Sequence, residues 1–206
     1  MHDIFFQNLL KTFVAIDPVS LIPIFAVITA SLKKEKIIKF SFYVFIISSF
    51  VLTFFSFFGN NFLTFMGISL SSFQIIGGLF LLVIAFEMVF EKRIERKENL
   101  ANEFIDDSQL NNLAVFPISI PLVAGPSAIT LSVLISQNYD NTILSFYQNI
   151  LPILLILLLT SLIIIFSNII SRIFNKIVIK VFQKILGLLL GALSIEFIIN
   201  GIRNSI

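Results

Sequence analysis

The chain has no cysteine and no tryptophan among its 206 residues, and a single histidine. Without thiols, a disulfide framework, a thiolate zinc site and an iron–sulfur cluster are all excluded. The one histidine, His2, lies at the terminus beside Asp3 and reads as a solvated end residue, not as a metal ligand or a general base. Charge is scarce as well. Asp, Glu, Lys and Arg make up 13% of residues, against about 25% in soluble domains. The net charge of +2 comes from bases scattered at loop ends, which gives no patch for a nucleic acid. No phosphate-binding glycine loop, no Ser/His/Asp set and no cluster of metal ligands is legible. Nothing in the residues argues for an enzyme or for a cofactor.

What is present is apolar length. Residues of the AVILMFWYC set make up 57% of the chain, and the mean hydropathy is +1.02. A soluble core of this size has no room for so much apolar surface, so the expected solvent is the lipid bilayer. With no tryptophan, Tyr43, Tyr139, Tyr147 and the phenylalanines would have to form any aromatic belt. Apolar stretches run over about 4–30, 40–58, 68–90, 113–136, 150–170 and 181–202. Six spans use nearly the whole chain and leave no room for a soluble domain. Gly59-Asn60-Asn61 is expected to turn between the second and third spans. The one hydrophilic stretch, 91–112, reads as a solvated linker between a first three-span unit (1–90) and a second (113–206).

Orientation follows from the bases. The linkers after the first, third and fifth spans hold Lys33, Lys34, Lys36 and Lys39, then Lys92, Arg93, Arg96 and Lys97, then Arg172, Lys176, Lys180 and Lys184. The opposite side holds Lys11 and Arg203. This bias places the basic linkers in the cytoplasm and both termini outside. The start lacks the basic region of a signal peptide, so the first span is expected to be retained.

The two halves repeat. Phe73-Gln74-Ile75-Ile76-Gly77-Gly78 with Glu87 aligns on Phe182-Gln183-Lys184-Ile185-Leu186-Gly187 with Glu196 at a shift of 109. Apolar matches are cheap in such a sequence, but Gln and Glu matches inside spans are not. Asp17-Pro18-Val19-Ser20 meets Gly125-Pro126-Ser127-Ala128 at nearly the same shift. Two units of three spans insert in opposite senses, because three is odd. The expected fold class is therefore an all-α membrane protein of six transmembrane helices in two inverted three-helix repeats. Paired Gly/Pro interruptions in such repeats point to a binding site.

Pro18 has no N–H and clashes with the carbonyl four residues back, and Asp17 before it is a good helix cap. Spans 1 and 4 are thus expected to break near the midplane, each presenting a half-helix N-terminus to an anion. Kinks in packed helices are the plainer alternative. Asp17 is open to two compatible roles, capping the second half-helix or binding a substrate ammonium or a proton. Glu87 reads as an interfacial carboxylate near the cytoplasmic end of its helix. Glu196 and Asn200 lie near the outer end of theirs. Gln74 and Gln183 are expected to bond between helices, and Gly77, Gly78, Gly187 and Gly191 to permit close packing.

Three stretches in this order, 17–25 (DPVSLIPIF), 114–130 (AVFPISIPLVAGPSAIT) and 197–201 (FIING), resemble the MarC family of bacterial inner-membrane proteins. The resemblance spans essentially the whole chain. It implies six spans with both termini on the periplasmic side, and kinship with amino-acid exporters of the LysE type. One family member is regarded as a neutral amino-acid transporter. By position it highlights Asp17, Pro18, Pro23, Pro117, Pro121, Gly125, Pro126 and Thr130. Ser20 and Ser127 stand where relatives usually have glycine, which adds hydroxyls to the expected site. Asn in relatives at the position of Asp17, and Gln at that of Glu196, leave proton coupling unassigned.

The expected function is a secondary transporter of small neutral amino acids or similar zwitterions. Asp17, Pro18, Ser20, Gly125, Pro126, Ser127 and Thr130 form the candidate substrate site. A coupling ion, proton or sodium, and assembly into a homo-oligomer are both left open. A passive channel and a non-transporting scaffold or stress-response protein, with 91–112 binding a partner, are the rival classes.

Overall fold

The computed structural model describes residues 2–30, 32–102, 114–137, 139–140, 142–173 and 176–205. Among them the chain is helical without strands. Helix α1 (His2–Ile16) leads through a tight turn at Pro18–Leu21 into α2 (Ile22–Thr29). Then follow α3 (Lys34–Phe65), α4 (Leu70–Val89) and α5 (Lys92–Asn102). An irregular apolar segment, Ala114–Val123, precedes α6 (Pro126–Ser136). Helices α7 (Ile143–Ile173) and α8 (Lys176–Arg203) complete the chain. Five stretches are long and apolar enough to cross a membrane; counting Ala114–Val123 with α6, bent by 66°, makes six.

Two local expectations are corrected. Gly59-Asn60-Asn61 is not a turn: α3 continues through it to Phe65. A side chain at Gly59 would meet the Cα of Val133 at 2.9 Å, so this glycine lets α6 lie against α3. The Asn60 N–H donates to the Ser136 hydroxyl at 2.9 Å across the same contact. The turn comes later, at Gly67, whose φ of +70° suits a residue without Cβ. The stretch 91–112 is not wholly a solvated loop either. Its first part forms α5, with Arg93 and Lys97 buried; residues 103–112 lie outside the described residues.

Helices α4 and α8 pack antiparallel through glycines. A Cβ on Gly78 would meet the Ser194 carbonyl at 2.8 Å and Ile198 at 2.7 Å. One on Gly187 would meet the Ala85 carbonyl at 3.1 Å and Val89 at 3.0 Å. Subtracting 109 from 187, 194 and 198 gives 78, 85 and 89, so the two contacts are reciprocal in the register of the sequence repeat. Elsewhere hydroxyls join helices. The Ser41 hydroxyl on α3 donates to the Ser161 carbonyl on α7 at 2.8 Å, and Thr29 meets Ser167 at 2.8 Å. Such small polar contacts hold helices together where lipid gives apolar residues no reason to associate. The outward faces carry bare phenylalanines, among them Phe50, Phe54, Phe58, Phe62 and Phe65 on α3, as expected of a surface solvated by hydrocarbon.

Candidate solute site

The local structure at Asp17 follows from Pro18. Proline disfavours the α conformation in the residue before it, and Asp17 takes the left-handed region at φ 54°, ψ 64°, which Asp tolerates better than most residues. The Asp17 N–H still closes α1 by donating to the Phe13 carbonyl at 2.9 Å. The carbonyls freed at this end find side chains. Ser127 on α6 donates to the Ala15 carbonyl at 2.6 Å. The Asp17 carbonyl accepts from the Ser20 hydroxyl at 2.9 Å and lies 3.5 Å from the Lys97 ammonium. Irregular backbone in an apolar segment requires such substitutes.

The Asp17 carboxylate is fully buried. One oxygen caps the following turn, accepting the Ser20 N–H at 3.4 Å. The other meets Arg93 Nε at 3.2 Å and Lys97 Nζ at 3.8 Å. Lys97 also donates to the Ser20 hydroxyl at 2.6 Å. The cations facing this acid are thus the protein's own, delivered by α5. Burial pushes the Lys97 ammonium well below the usual lysine range; the Arg93 charge pushes the same way and Asp17 opposes it. Burial lowers Arg93 too, again against Asp17. Two cations on one buried carboxylate leave an excess of positive charge.

That excess borders a cavity of about 260 Å³ lined by Arg93, Arg96, Lys97, Ile84, Pro121, Leu122, Gly125, Pro126 and Ser127. Gly125 is the residue before α6, so the cavity lies at the N-terminus of that helix, where free N–H groups and the dipole favour an anion. The extended backbone at Phe116 and Ile120, each preceding a proline, brings Pro121 and Leu122 to its wall. Arg96 is partly neutralised by Glu87 at 2.7 Å, while the second Glu87 oxygen is buried without a hydrogen-bond partner among the described residues.

Of the residues expected from sequence, Gly125, Pro126 and Ser127 line this cavity, and Asp17 and Ser20 hold the cations on its wall. Pro18 starts the turn. Thr130 faces elsewhere, its methyl against Gly77 of α4. Arg93 and Lys97 were missed as site residues. Their signal was four-residue spacing in a stretch, 91–102, with neither proline nor glycine, which puts both on one helical face. Gln74 does bond between helices, at 3.4 Å from Gln137 and from Asn204, but among the described residues the buried Gln183 carboxamide has no partner.

A second cavity, of about 530 Å³, lies at the end opposite α5. Lys11 of α1 lines it together with the carboxamides Gln7, Asn8, Gln74, Gln137, Gln148, Asn149 and Asn200. Leu131, Leu134 and Phe197 supply apolar wall. Phe197 and Ile84, from opposite cavities, belong to one apolar cluster with Val14, Leu81 and Leu190.

A helical chain with these spans, bare apolar faces and polar-lined cavities is a multi-pass integral membrane protein. It belongs to the MarC family: the description "MarC family integral membrane protein" matches residues 2–206. Similar proteins include UPF0056 membrane protein MJ0972 of Methanocaldococcus jannaschii, 33% identical over 199 residues, covering 96% of this chain and 86% of that one. UPF0056 membrane protein YhcE of Escherichia coli is 30% identical over 200 residues, covering 97% and 92%. UPF0056 membrane protein BU267 of Buchnera aphidicola is 31% identical over 194 residues, covering 91% and 86%. No solved structure matches the chain.

Proposed function

We propose that the protein is a secondary transporter of small neutral amino acids or similar zwitterions across the cytoplasmic (in bacteria, inner) membrane, with both termini outside. The observation that carries this reading is the cation-walled cavity at the N-terminus of α6. A solute carboxylate there meets free N–H groups, Lys97 and Arg96. Asp17, held by Arg93 and Lys97, acts by positioning those cations, and the buried oxygen of Glu87, next to Arg96 of the wall, would need a side-chain movement to reach an ammonium. No cofactor or catalysis is needed; a proton or sodium gradient supplies the work.

Alternating access is the mechanism, through two inverted three-helix units whose first spans break near the midplane. The reciprocal Gly78 and Gly187 contacts support that symmetry. The 66° bend before α6 and the left-handed Asp17 support the breaks. A passive channel is disfavoured because packed apolar side chains, Ile84 to Phe197, link the walls of the two cavities.

Purified protein in proteoliposomes, given labelled glycine, alanine and serine with and without proton and sodium gradients, tests the reading. Saturable, gradient-driven flux that Ser127→Leu abolishes by filling the cavity is expected. Absence of flux for all three solutes under either gradient removes it, and non-saturating flux indifferent to gradients turns it into a channel.

A further inference from the structure

The larger cavity, at the end opposite α5, has no part in the site above, yet its chemistry is specific. Seven carboxamides line it, each offering both a donor and an acceptor and none carrying a charge. Several are already committed: Asn8 donates to the Gln148 carbonyl at 2.9 Å and to Asn149 Oδ1 at 3.0 Å, and Asn149 donates to Ser145 at 3.1 Å. Gln74 is likewise bonded to Gln137 at 3.4 Å, so these bonds fix much of the wall, while each amide still has donor or acceptor capacity beyond them.

One full charge lines this wall, Lys11, seven residues inside the first apolar stretch, or about 10 Å along the helix from its start. Among the described residues it makes no hydrogen bond and no ion-pair contact. Its electrostatic partner is Glu196 of α8, which attracts it without touching it. Glu196 accepts a hydrogen bond at 3.1 Å from Asn200, itself part of the cavity wall. A charged side chain in an apolar span calls for a water-filled cavity and a partner. Here a polar-lined cavity and an acid are present, and Lys11 and Glu196 do not touch.

Glu196 is also the repeat mate of Glu87, at the shift of 109. Glu87 stands with Arg96 beside the smaller cavity at the other end. Each end of the molecule therefore places a repeat-matched glutamate next to a residue of a cavity wall, Glu87 on Arg96 and Glu196 on Asn200, with a cation from a different helix on each wall, and one apolar cluster lies against both cavities.

We infer that the larger cavity is a second solute site, facing the side opposite α5, which binds a small zwitterion with its carboxylate on Lys11 and its ammonium on Glu196. The surrounding carboxamides take the remaining polar atoms, and the apolar wall at Leu131 and Leu134 limits the side chain. This deepens the transport reading and rests on it for the site's purpose, but binding is measurable without transport.

The absence of tryptophan gives a clean reporter: Phe197→Trp places a single indole on the cavity wall. Full-length protein carrying it is titrated in detergent with alanine, with lactate (carboxylate only) and with glycerol (neither charge). A saturable emission change is expected with alanine, at least tenfold weaker with lactate and none with glycerol. Lys11→Gln should weaken alanine and lactate binding at least tenfold. Glu196→Gln, an isosteric change at an exposed position, should weaken alanine tenfold and leave lactate unmoved. Glycerol binding as tight as alanine, no saturable response to any probe, or alanine affinity unchanged in Glu196→Gln would overturn the inference. Binding without flux in proteoliposomes would instead sink the transport reading and leave this site standing.

Discussion

The two ends of the molecule solve the same problem, polar groups in an apolar solvent, by opposite means. At the α5 end the solution is ionic: one fully buried carboxylate, Asp17, with Arg93 and Lys97 packed onto it. At the other end it is mostly neutral, with carboxamides bonded to one another around a cavity about twice as large. An ionic cluster is rigid and unforgiving, because removing one member leaves an uncompensated buried charge. A carboxamide wall tolerates exchange of partners, since each group both donates and accepts. The ionic end thus holds the irregular backbone around Asp17 in one arrangement, while the neutral end can exchange hydrogen-bond partners.

Substitutions can break or sharpen this contrast. The largest effect is expected for Asp17→Ala, which strands Arg93 and Lys97: a loss of about 3–5 kcal/mol, seen as a much lower Tm in detergent. The triple change Asp17→Ala, Arg93→Met, Lys97→Met should recover most of it, because no charge is then left unpaired. A single change that costs no more than the triple one would show that the cluster is not the strained element.

Asn8→Ala at the opposite end should cost less, about 1–2 kcal/mol, since Asn149 and the Gln148 carbonyl can turn to water. A cost equal to that of Asp17→Ala would erase the distinction between the two ends.

The smallest effect is expected at Glu91, which accepts hydrogen bonds from Lys180 at 2.6 Å and Lys184 at 2.8 Å on the molecule's surface. These hold its carboxyl at about 2, below the ordinary 4.5. A depressed folded-state value means the contribution is complete above about pH 4.5 and disappears as pH falls through about 2. Glu91→Gln should therefore shift Tm by no more than about 2 °C at pH 7, with the difference shrinking as pH falls from about 4.5 through about 2.

Much of the architecture was legible in the residues. Apolar stretches too long and too numerous for a soluble core located the spans, and the prolines at 18, 117, 121 and 126 located the irregular backbone. Two misreadings arose where local composition pointed away from a tertiary role. Gly59-Asn60-Asn61 has turn chemistry, but its glycine serves the approach of α6, a contact with a residue 74 positions away. Arg93 and Lys97 read as solvated linker charges, because bases beside a span normally face water. Only a buried acid on another helix could draw them inward.

The sequence by itself determined that this is a helical membrane protein, where its spans lie and where helical geometry must fail, because hydropathy and proline stereochemistry are properties of short segments. Tertiary structure alone decided which charges meet, that Asp17 faces the protein's own cations, that Gly125, Pro126 and Ser127 share a cavity with them while Thr130 does not, and that Lys11 of the first span lines a second cavity together with Asn200, the hydrogen-bond partner of Glu196 near the other end of the chain. Those are relations between residues tens to nearly two hundred positions apart. No local rule carries them, because they follow from how rigid helices pack in three dimensions.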